Sequence, residues 1–473
     1  MIKVLSHASM IVESEGAQLL VDPWLIGSCY WRSWWNYPPV KKETIANLNP
    51  KAIYITHVHW DHWHGPSLKG FLGADVEIIT HDEPNKRSYR DLKKFGFKKI
   101  RVLKHGESYK IGDIKITPYQ FGLFLNDSAI VIETPKVKIL NANDCKIAGA
   151  SLRQIKDRHG KFDFAMRSHS SANDRVCYSI VGSDRVFDNP SHYTAAFKLF
   201  MDNVKPRYAI PFASNHCHLH KDVFGLNDII NDPFKLKYEI EELGGLDESE
   251  IRVMLTGDSW SAESGFSIDG ENEKFFREKE KNLNEYQSSV RDVLENYYAR
   301  QGRSKIRQRT IEKFKGQISS IPKIFRRKLK NWCFSLKIVD GFEEVYFLVE
   351  PYRSSIEKIG KESFEASPAQ IFMPIDIFNS AVQLNMFHHS AISKRNKYLF
   401  SNEWNLRKWE IMNGLLEKVE LEVFPLKVGY LKNIFLNYLR RWRELIVYGE
   451  AYFLKRRGLE MFDIEEKILR SRF

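Results

Sequence analysis

The stretch YITHVHWDHWHGP, from Tyr54 to Pro66, places five potential metal ligands close together: His57, His59, Asp61, His62 and His64. The apolar run that begins it, Ala52–Thr56, is predicted to form a strand, and the Gly–Pro pair that ends it indicates a turn. The cluster is therefore predicted to lie on a loop at a strand end, where α/β proteins place their functional sites. The alternative is a surface turn that is rich in histidine, but the chain has only 15 histidines in 473 residues.

The spacing within this cluster indicates two adjacent metal positions. His57 and His59 are two residues apart, so both can point to one side of an extended segment. Asp61 and His62 follow after the chain turns and can reach a second position nearby. Imidazole and carboxylate groups suit zinc and also iron or manganese. His64 is not required by this spacing, and we assign it a flanking role.

The composition predicts a folded protein of more than one unit. A chain of 473 residues is too long for one ordinary core, and 43% hydrophobic with 13% aromatic content indicates packed domains. The five cysteines form no CxxC pair, which is typical of reduced thiols in a cytosolic protein. Neither a signal peptide nor a membrane span is evident, so we expect a cytoplasmic location. The net charge of +12 is compatible with an acidic partner.

Three units are expected along the chain. Residues 1–268 alternate apolar runs with turn signals and helical stretches, which predicts an α/β architecture. Residues 269–331 are predicted to be a basic helical linker, with eleven basic residues against one acid between Arg303 and Lys330. This basic segment could instead bind nucleic acid or an anionic membrane. Residues 332–473 are predicted to form an α+β accessory domain whose first two strands join at Asp340–Gly341.

The order HxHxDH resembles the signature of the metallo-β-lactamase fold superfamily, and the resemblance covers roughly residues 1–265. It implies an αββα sandwich with a metal site at the edge of two packed sheets. A second stretch, SHASMIVESEGAQLLVDPWL (Ser6–Leu25), is similar to the first strands of that family. The resemblance implies that Asp22 orients the histidine loop, because a carboxylate behind a ligand histidine fixes its tautomer and basicity. The alternative for Asp22 is a turn residue before Pro23.

Within the superfamily, three stretches are most similar to the CMP-N-acetylneuraminate hydroxylase-like group: DPWLIGSCYWRSWWNYPP, ILNANDC and IPFASNHCHLHKDVFGLND. This resemblance places Asp144 at the bridging carboxylate and His220 at the last ligand histidine. On pattern alone, His216, His218 and His220 alternate by two and any one could be that ligand, with His216 as the second choice. The Rieske iron–sulfur unit of such hydroxylases is not expected, because its paired Cys and His ligands are missing.

The sequence departs from the family at one metal position. The family has a histidine between the HxHxDH loop and the bridging aspartate, but ITPYQFGLFLNDSAIVIE, residues 116–133, contains none. His105 lies too early. Asp127 is the best substitute, with a turn or cap residue as the alternative, and Gln120 is a weaker candidate. A carboxylate at this position would favour iron or manganese somewhat over zinc.

Together these residues predict a metal-dependent hydrolase that uses a metal-bound hydroxide on an anionic small molecule, such as a phosphoester or a sugar nucleotide. Two divalent metals are expected, most simply zinc, with the ligands His57, His59, Asp61, His62, Asp127, Asp144 and His220. The resemblance implies that Asp22 orients the histidine loop. Asp61 is a candidate proton-transfer group, and His169 is a candidate substrate contact or proton donor. A solvated loop histidine is an equal alternative for His169.

Other interpretations remain open at this point. The same site could be a non-haem di-iron oxygenase or oxidase, and the protein could act by binding nucleic acid or an anionic membrane through residues 303–330. Arg167, Arg175 and Arg185 could fix an anionic substrate, although each is more often a surface residue. His388 and His389 in the C-terminal unit are expected to be surface or packing residues.

Overall fold

A computed structural model describes residues 1–122, 124, 126–170, 172, 174–301, 304–339, 344–456 and 461–470. The predicted turn at Asp340–Gly341 and Arg303 of the basic segment lie outside the described residues.

The described elements of residues 1–268 combine strands and helices, as the apolar runs and helical stretches predicted. The strands are β1 (Ile2–Val4), β2 (Met10–Ser14), β3 (Ala17–Val21), β4 (Ser28–Cys29), β5 (Trp34–Asn36), β6 (Ala52–Ile55), β7 (Glu77–His81), β8 (Ile100–Leu103), β9 (Tyr109–Ile111), β10 (Ile114–Phe121), β11 (Asp127–Glu133), β12 (Lys138–Asn143), β13 (Phe164–Arg167), β14 (Tyr178–Ile180), β15 (Tyr208–Pro211), β16 (His216–His218), β17 (Glu250–Ile251), β18 (Ser259–Ser261), β19 (Gly265–Ser267), β20 (Phe334–Val339), β21 (Glu344–Glu350), β22 (Ser355–Ile359), β23 (Ala369–Pro374) and β24 (Lys397–Phe400). The α-helices are α1 (Lys42–Ile45), α2 (Gly65–Lys69), α3 (Arg87–Phe95), α4 (Gly149–His159), α5 (Pro190–Val204), α6 (Pro233–Glu242), α7 (Glu271–Arg277), α8 (Lys279–Ser289), α9 (Arg291–Gln301), α10 (Gln308–Ser320), α11 (Lys323–Arg326), α12 (Lys361–Glu365), α13 (Ile375–Leu384), α14 (Glu403–Glu420), α15 (Val428–Arg440), α16 (Trp442–Arg456) and α17 (Met461–Arg470). Short 3-10 segments lie at Arg175–Cys177, Phe224–Ile229, Arg327–Leu329 and His388–Ser393.

Two mixed sheets face each other in the N-terminal unit. Their strand orders are β19-β18-β1-β2-β3-β6-β7-β8 and β17-β15-β13-β12-β11-β10-β9. Apolar side chains of both sheets share one buried cluster, including Val12 and Ile130. The outer faces are covered by α2 and α3 on the first sheet and by α4, α5 and α6 on the second. This is an αββα sandwich, so the predicted fold is confirmed.

The composition of the strands explains this layering. In β11, Ile130 and Ile132 pack into the cluster between the sheets, whereas Ala129 and Val131 pack against the outer helices. Successive side chains of a strand point to opposite faces, so a strand that is buried on both faces has a continuous apolar run. The same reasoning accounts for AIYI in β6, which leads directly into the histidine loop.

A second unit has its own sheet, with the order β14-β24-β23-β20-β21-β22. Strand β14 comes from the N-terminal half of the chain and pairs in parallel with β24. Its core also contains Phe314 of α10, while Leu283 of α8 and Leu294 of α9 pack with Trp35 of the first unit. The segment 269–331, predicted as a linker, is thus built into both units.

The two units meet beside the histidine loop. A small sheet, β16-β5-β4, lies on the N-terminal side of this contact. The Trp31 indole donates to Ser380 Oγ at 2.5 Å, and the Trp34 indole donates to the carbonyl of Ile392 at 3.0 Å. In the described part of the chain, no helix is both long and apolar enough to cross a bilayer.

Candidate metal centre

Asp22 anchors the start of the histidine loop. It lies just after β3, is fully buried, and accepts hydrogen bonds from the backbone N–H of Thr56 at 2.8 Å and from its hydroxyl at 2.7 Å. The oxygen that accepts from the hydroxyl, Asp22 Oδ2, also lies 2.7 Å from His62 Nδ1. A carboxylate on Nδ1 fixes the proton there and leaves Nε2 as the free lone pair. This is the arrangement that an orienting carboxylate requires.

Three side chains form what we call the first ligand group: His57, His59 and Asp144. Their ligand atoms all lie within 4.8 Å of one another. His57 Nε2 is 3.5 Å from Asp144 Oδ2, and the rings of His57 and His59 are 4.4 Å apart. Asp144 reaches the group from the loop after β12.

A second ligand group contains His7, Asp61 and His62, whose ligand atoms also lie within 4.8 Å of one another. Asp61 Oδ2 is 3.1 Å from His7 Nε2 and 3.4 Å from His62 Nε2. The Tyr30 hydroxyl donates to the other oxygen, Asp61 Oδ1, at 2.5 Å. Sequence reasoning missed His7, although it lies in the quoted SHAS stretch. The available signal was an isolated histidine in the turn between two predicted strands.

Asp144 joins the two groups. Its Oδ2 faces His57, and its Oδ1 is 3.5 Å from His62 Nε2. Burial alone would raise the pKa of Asp144, but the imidazoles of His57 and His62 outweigh burial and hold it well below its usual value. The carboxylate is therefore ionised, with one oxygen toward each ligand group.

The unsatisfied polar atoms show that these residues fit a metal. His57 Nε2 and His62 Nε2 are buried and make no hydrogen bond within the described residues. An unpartnered buried polar atom costs roughly 1–3 kcal/mol. Both nitrogens face carboxylate oxygens at distances longer than a hydrogen bond, and a cation placed between them satisfies both sides. The nitrogen and oxygen donor set, which has no thiolate, suits zinc, iron or manganese.

Asp127 lies near this site but in neither ligand group as described. Burial raises the pKa of Asp127 to about 6, while the nearby His57 acts to lower it. Asn126 donates to Asp127 Oδ1 at 3.2 Å. Its role as a substitute ligand stays a prediction. The weaker candidate, Gln120, donates to the carbonyl of Asp82 at 2.6 Å.

The three histidines of residues 216–220 have different surroundings in the structure. The His216 ring stacks on Trp34 with centroids 3.7 Å apart and lies 5.4 Å from the His7 ring. His218 Nδ1 is 3.2 Å from the carbonyl of Ser33. His220 instead packs on Tyr298 at 4.9 Å. Within the described residues neither ligand group includes any of the three, but the contacts favour His216 over the predicted His220.

His169 is fully buried beside His7 rather than solvated on a loop. Its backbone N–H donates to Ser214 Oγ at 3.0 Å. Burial, together with the proximity of His7, lowers the pKa of His169 to about 3. The solvated alternative is therefore wrong, because the ring is buried. Desolvation keeps the buried imidazole neutral. A neutral ring with so low a pKa is a poor proton donor and a poor base, so its role in proton transfer is not supported, whereas its lone pair can bind a cation.

The remaining predicted residues have mainly structural contacts. His64 caps helix α2 and accepts from the backbone N–H of Ser67 at 3.3 Å, which agrees with a flanking role. Arg175 and Arg185 pair with Glu410 and Glu403 of α14, each at 2.5 Å. Arg167 is buried with its guanidinium over the Phe200 ring at 4.4 Å.

Known proteins match the N-terminal part of the chain. Residues 1–121 match the family model described as "Beta-lactamase superfamily domain". This part of the chain is therefore similar to the β-lactamase superfamily, and the predicted resemblance to that superfamily is confirmed.

Curated relatives match about half of the chain or less. A protein of Mycolicibacterium smegmatis named "Putative Rieske 2Fe-2S iron-sulfur protein" is 24% identical over 250 residues, which are 48% of this chain and 46% of that protein. The cytidine monophosphate-N-acetylneuraminic acid hydroxylase of Gorilla gorilla gorilla is 29% identical over 150 residues, 30% of this chain and 25% of that protein. The similarity to this hydroxylase group is thereby confirmed, while less than half of either relative is matched.

Solved structures also align with about half of the chain. The isothiocyanate hydrolase from Delia radicum gut bacteria aligns with a TM-score of 0.40 and 17% identity, covering 55% of this chain and 99% of that one. CmlA, a diiron β-hydroxylase from Streptomyces venezuelae, aligns with a TM-score of 0.37 and 16% identity, covering 54% and 52%.

Proposed function

We propose that this protein is a metal-dependent hydrolase that acts on an anionic small molecule. The observation that carries the proposal is the position of Asp144, with one carboxylate oxygen 3.5 Å from His57 Nε2 and the other 3.5 Å from His62 Nε2. A carboxylate that faces two ligand groups in this way suits two neighbouring divalent ions, with zinc as the simplest choice.

The residues of the chain have separate tasks in this proposal. Divalent metals in such a site would lower the pKa of a water and polarise a substrate oxygen. His57, His59 and Asp144 would hold one ion, and His7, Asp61 and His62 the other. Asp22 keeps His62 Nε2 directed toward the ligand groups. Tyr30 holds one oxygen of Asp61 and leaves the other toward His7 and His62.

The anionic character of the substrate is inferred from a cavity of about 1340 Å³, whose described lining contains no residue of the two ligand groups. Gln120 lines the cavity and is the partner of Ser128 in the β10–β11 pair. Ser128 in turn donates to the carbonyl of Thr56, at the base of the histidine loop. Six basic side chains line the cavity against three acidic ones: Lys86, Lys104, Arg153, Arg158, Arg441 and Arg443 against Asp82, Asp157 and Glu444. This excess of positive charge favours a phosphate- or carboxylate-bearing substrate.

Elemental analysis of the purified protein is the first test, together with the double variant H59A/D144A. We expect up to two zinc ions per chain in the native protein, and loss of bound metal and turnover in the variant. Phosphodiesters, sugar nucleotides and lactones form the substrate panel. A double variant that retains the native metal content would contradict the site, and a metal-loaded protein inactive on the entire panel would contradict hydrolysis.

A di-iron oxygenase or oxidase is a second candidate. It is favoured by a third carboxylate, Asp127, which lies within electrostatic reach of His57 and Asp144. Carboxylate-rich ligation shifts preference from zinc toward iron. The absorption spectrum separates the two candidates, because a colourless protein that contains zinc is incompatible with the oxygenase.

Binding of nucleic acid through the basic segment remains a further alternative. Two of its cations hold the second unit together: Lys313 donates to the carbonyl of Gln383 at 2.6 Å, and Arg326 donates to that of Tyr352 at 2.9 Å. The remaining cations would make binding fall steeply with salt. Failure to bind duplex DNA or RNA at low salt removes this alternative.

A further inference from the structure

The second unit places a histidine against the histidine loop. The 3-10 segment His388–Ser393 packs beside the loop, and the ring of His389 lies 4.3 Å from the ring of His59 at an angle of 73°. Tyr30, which holds Asp61, is 6.4 Å from the same ring and stacked with it. His389 thus comes from more than 300 positions further along the chain and contacts the first ligand group.

The His389 imidazole is held like that of a metal ligand. Its Nδ1 contacts the carboxylate of Glu420, and its backbone N–H donates to the other oxygen of that carboxylate at 3.0 Å. Both residues are 2% exposed. A carboxylate on Nδ1 fixes the ring orientation and directs Nε2 away from it. That Nε2 atom is buried and has no hydrogen-bond partner among the described residues.

The neighbouring histidine shows a different arrangement. His388 Nδ1 is 3.0 Å from the side-chain oxygen of Asn413, and no carboxylate holds it directly in the described structure. The ring contact with the histidine loop is made by His389 alone of the two. The pair therefore contains one residue with a packing role and one, His389, with an unpartnered nitrogen on a ring that contacts His59.

We propose that Nε2 of His389 completes the first ligand group, so that the metal centre takes a ligand from each unit. The proposal rests on the proposed function, since it requires a metal there. It also supplies an imidazole for the position where residues 116–133 offer none. The predicted packing role of His389 is replaced by a ligand role, and Glu420 becomes a positioning residue.

Cobalt(II) titration of the metal-free full-length protein tests this. The absorption bands of bound cobalt report on the ligand set independently of activity. For H389A we expect cobalt binding to be weakened at least ~10-fold and the absorption spectrum to change. For E420Q we expect a smaller loss of cobalt affinity. H388A is the matched control and should behave as the native protein. H389Q fills the same space and replaces H389A if that variant does not fold.

The outcomes separate the two proposals. Native affinity and an unchanged spectrum in folded H389A, or in H389Q, would show that His389 is not a ligand while leaving the hydrolase site intact. The same conclusion follows if D127N weakens cobalt binding and H389A does not. A native protein that binds no cobalt overturns both proposals together.

A second observation concerns the C-terminal helices. Along α15 and α16, six large apolar side chains recur at helical spacing and are all exposed by at least 42%: Val428, Leu431, Phe435, Leu439, Trp442 and Ile446, which we call the apolar stripe. The opposite side of the same helices is docked, with Tyr430, Tyr438 and Val447 buried. Monomeric proteins rarely expose such a continuous apolar surface without an interaction.

The charges around the apolar stripe indicate what covers it. Lys427 and Lys432 are exposed beside it, whereas the one acid of these two helices up to Ile446, Glu444, is buried in an ion pair with Arg441. An amphipathic helix with apolar and basic exposed groups suits the interface of an anionic membrane. A symmetric second copy would bring these like charges together.

We infer that the apolar stripe binds the surface of an anionic lipid bilayer. Sedimentation of the full-length protein with vesicles tests this, using phosphatidylcholine alone and an equimolar mixture with phosphatidylglycerol. We expect binding to the mixture that decreases with salt and is lost in L431E/F435E. The control is V186E, because Val186 is 80% exposed outside the stripe.

Two results would overturn this inference. One is binding to the anionic vesicles that L431E/F435E leaves unchanged. The other is absence of vesicle binding together with a native dimer that L431E/F435E converts to a monomer, which would assign the stripe to an interface between copies of this chain.

Discussion

Two histidine-rich segments of this chain, His57–His62 and His216–His220, have the same alternation but different structures. In the first segment, His57 and His59 join one ligand group and Asp61 and His62 join the other. In the second, His216 stacks on Trp34, whereas His220 packs on Tyr298. The spacing of histidines alone therefore does not make a metal site.

The difference lies in the groups that surround each imidazole, because an unpartnered buried Nε2 among the described residues is common to both segments. The histidine loop follows a buried strand and is fixed by Asp22, which contacts both Thr56 and His62. In the second segment, β16 ends at His218, so alternation stops there and His220 follows a different direction. A ligand histidine is therefore better recognised by the carboxylates close to its ring, as at His57 and His62, and by the conformation of its backbone.

The largest effect on metal binding is expected from replacing His62 with Ala. Its Nε2 lies between Asp61 and Asp144, so its loss affects both ligand groups. We expect metal binding to weaken by more than the ~10–100-fold that is typical of residues behind the ligands. The measurement is metal content after dialysis against a chelator. The matched variant H220A should keep its metal, and equal losses in both variants would show that the two segments do not differ.

A smaller effect on metal binding is expected for Asp22→Asn. The substitution keeps the size of the side chain but removes its negative charge and leaves one acceptor oxygen where two now serve Thr56 and His62 Nδ1. Metal affinity should fall by ~10–100-fold, with the metal stoichiometry at saturation unchanged. Competition with a chromophoric chelator measures it. Native affinity in this variant would mean that the ring is oriented by its packing alone.

His216→Ala should have a partial effect confined to the second ligand group. The ring lies beside His7 and stacks on Trp34, so its loss opens space next to that group. We expect weaker binding of one metal equivalent and native binding of the other, resolved by calorimetric titration. If H216A binds both equivalents normally and H220A loses one, the family-based choice of His220 is restored.

Much of the fold and the central loop could be predicted from the sequence because their signals are local. The apolar run before the histidine loop predicted a strand, and the loop after β6 carries four members of the two ligand groups in one stretch. His7 and His389 could not be predicted in this way. One is an isolated histidine in a turn, and the other reaches the site through the packing of two units. Burial of His169 was also missed, since it depends on the second sheet and on Ser214.

The smallest effect on metal binding is expected for Tyr30→Phe, which tests how much the stability of the first region depends on a residue outside the histidine loop. The hydroxyl makes a 2.5 Å hydrogen bond to buried Asp61, and burial raises the pKa of Tyr30 well above its usual value, so the hydroxyl keeps its proton as donor. Loss of a hydrogen bond to a charged group costs about 1.5–3 kcal/mol in the free energy of unfolding. Urea denaturation of the metal-free proteins measures this difference, and Tyr37→Phe is the control, because that hydroxyl donates to the carbonyl of Phe275 away from the ligands. If Y30F were as stable as the native protein yet bound metal more weakly, Tyr30 would act only by orienting Asp61, and the histidine loop would be stable without it.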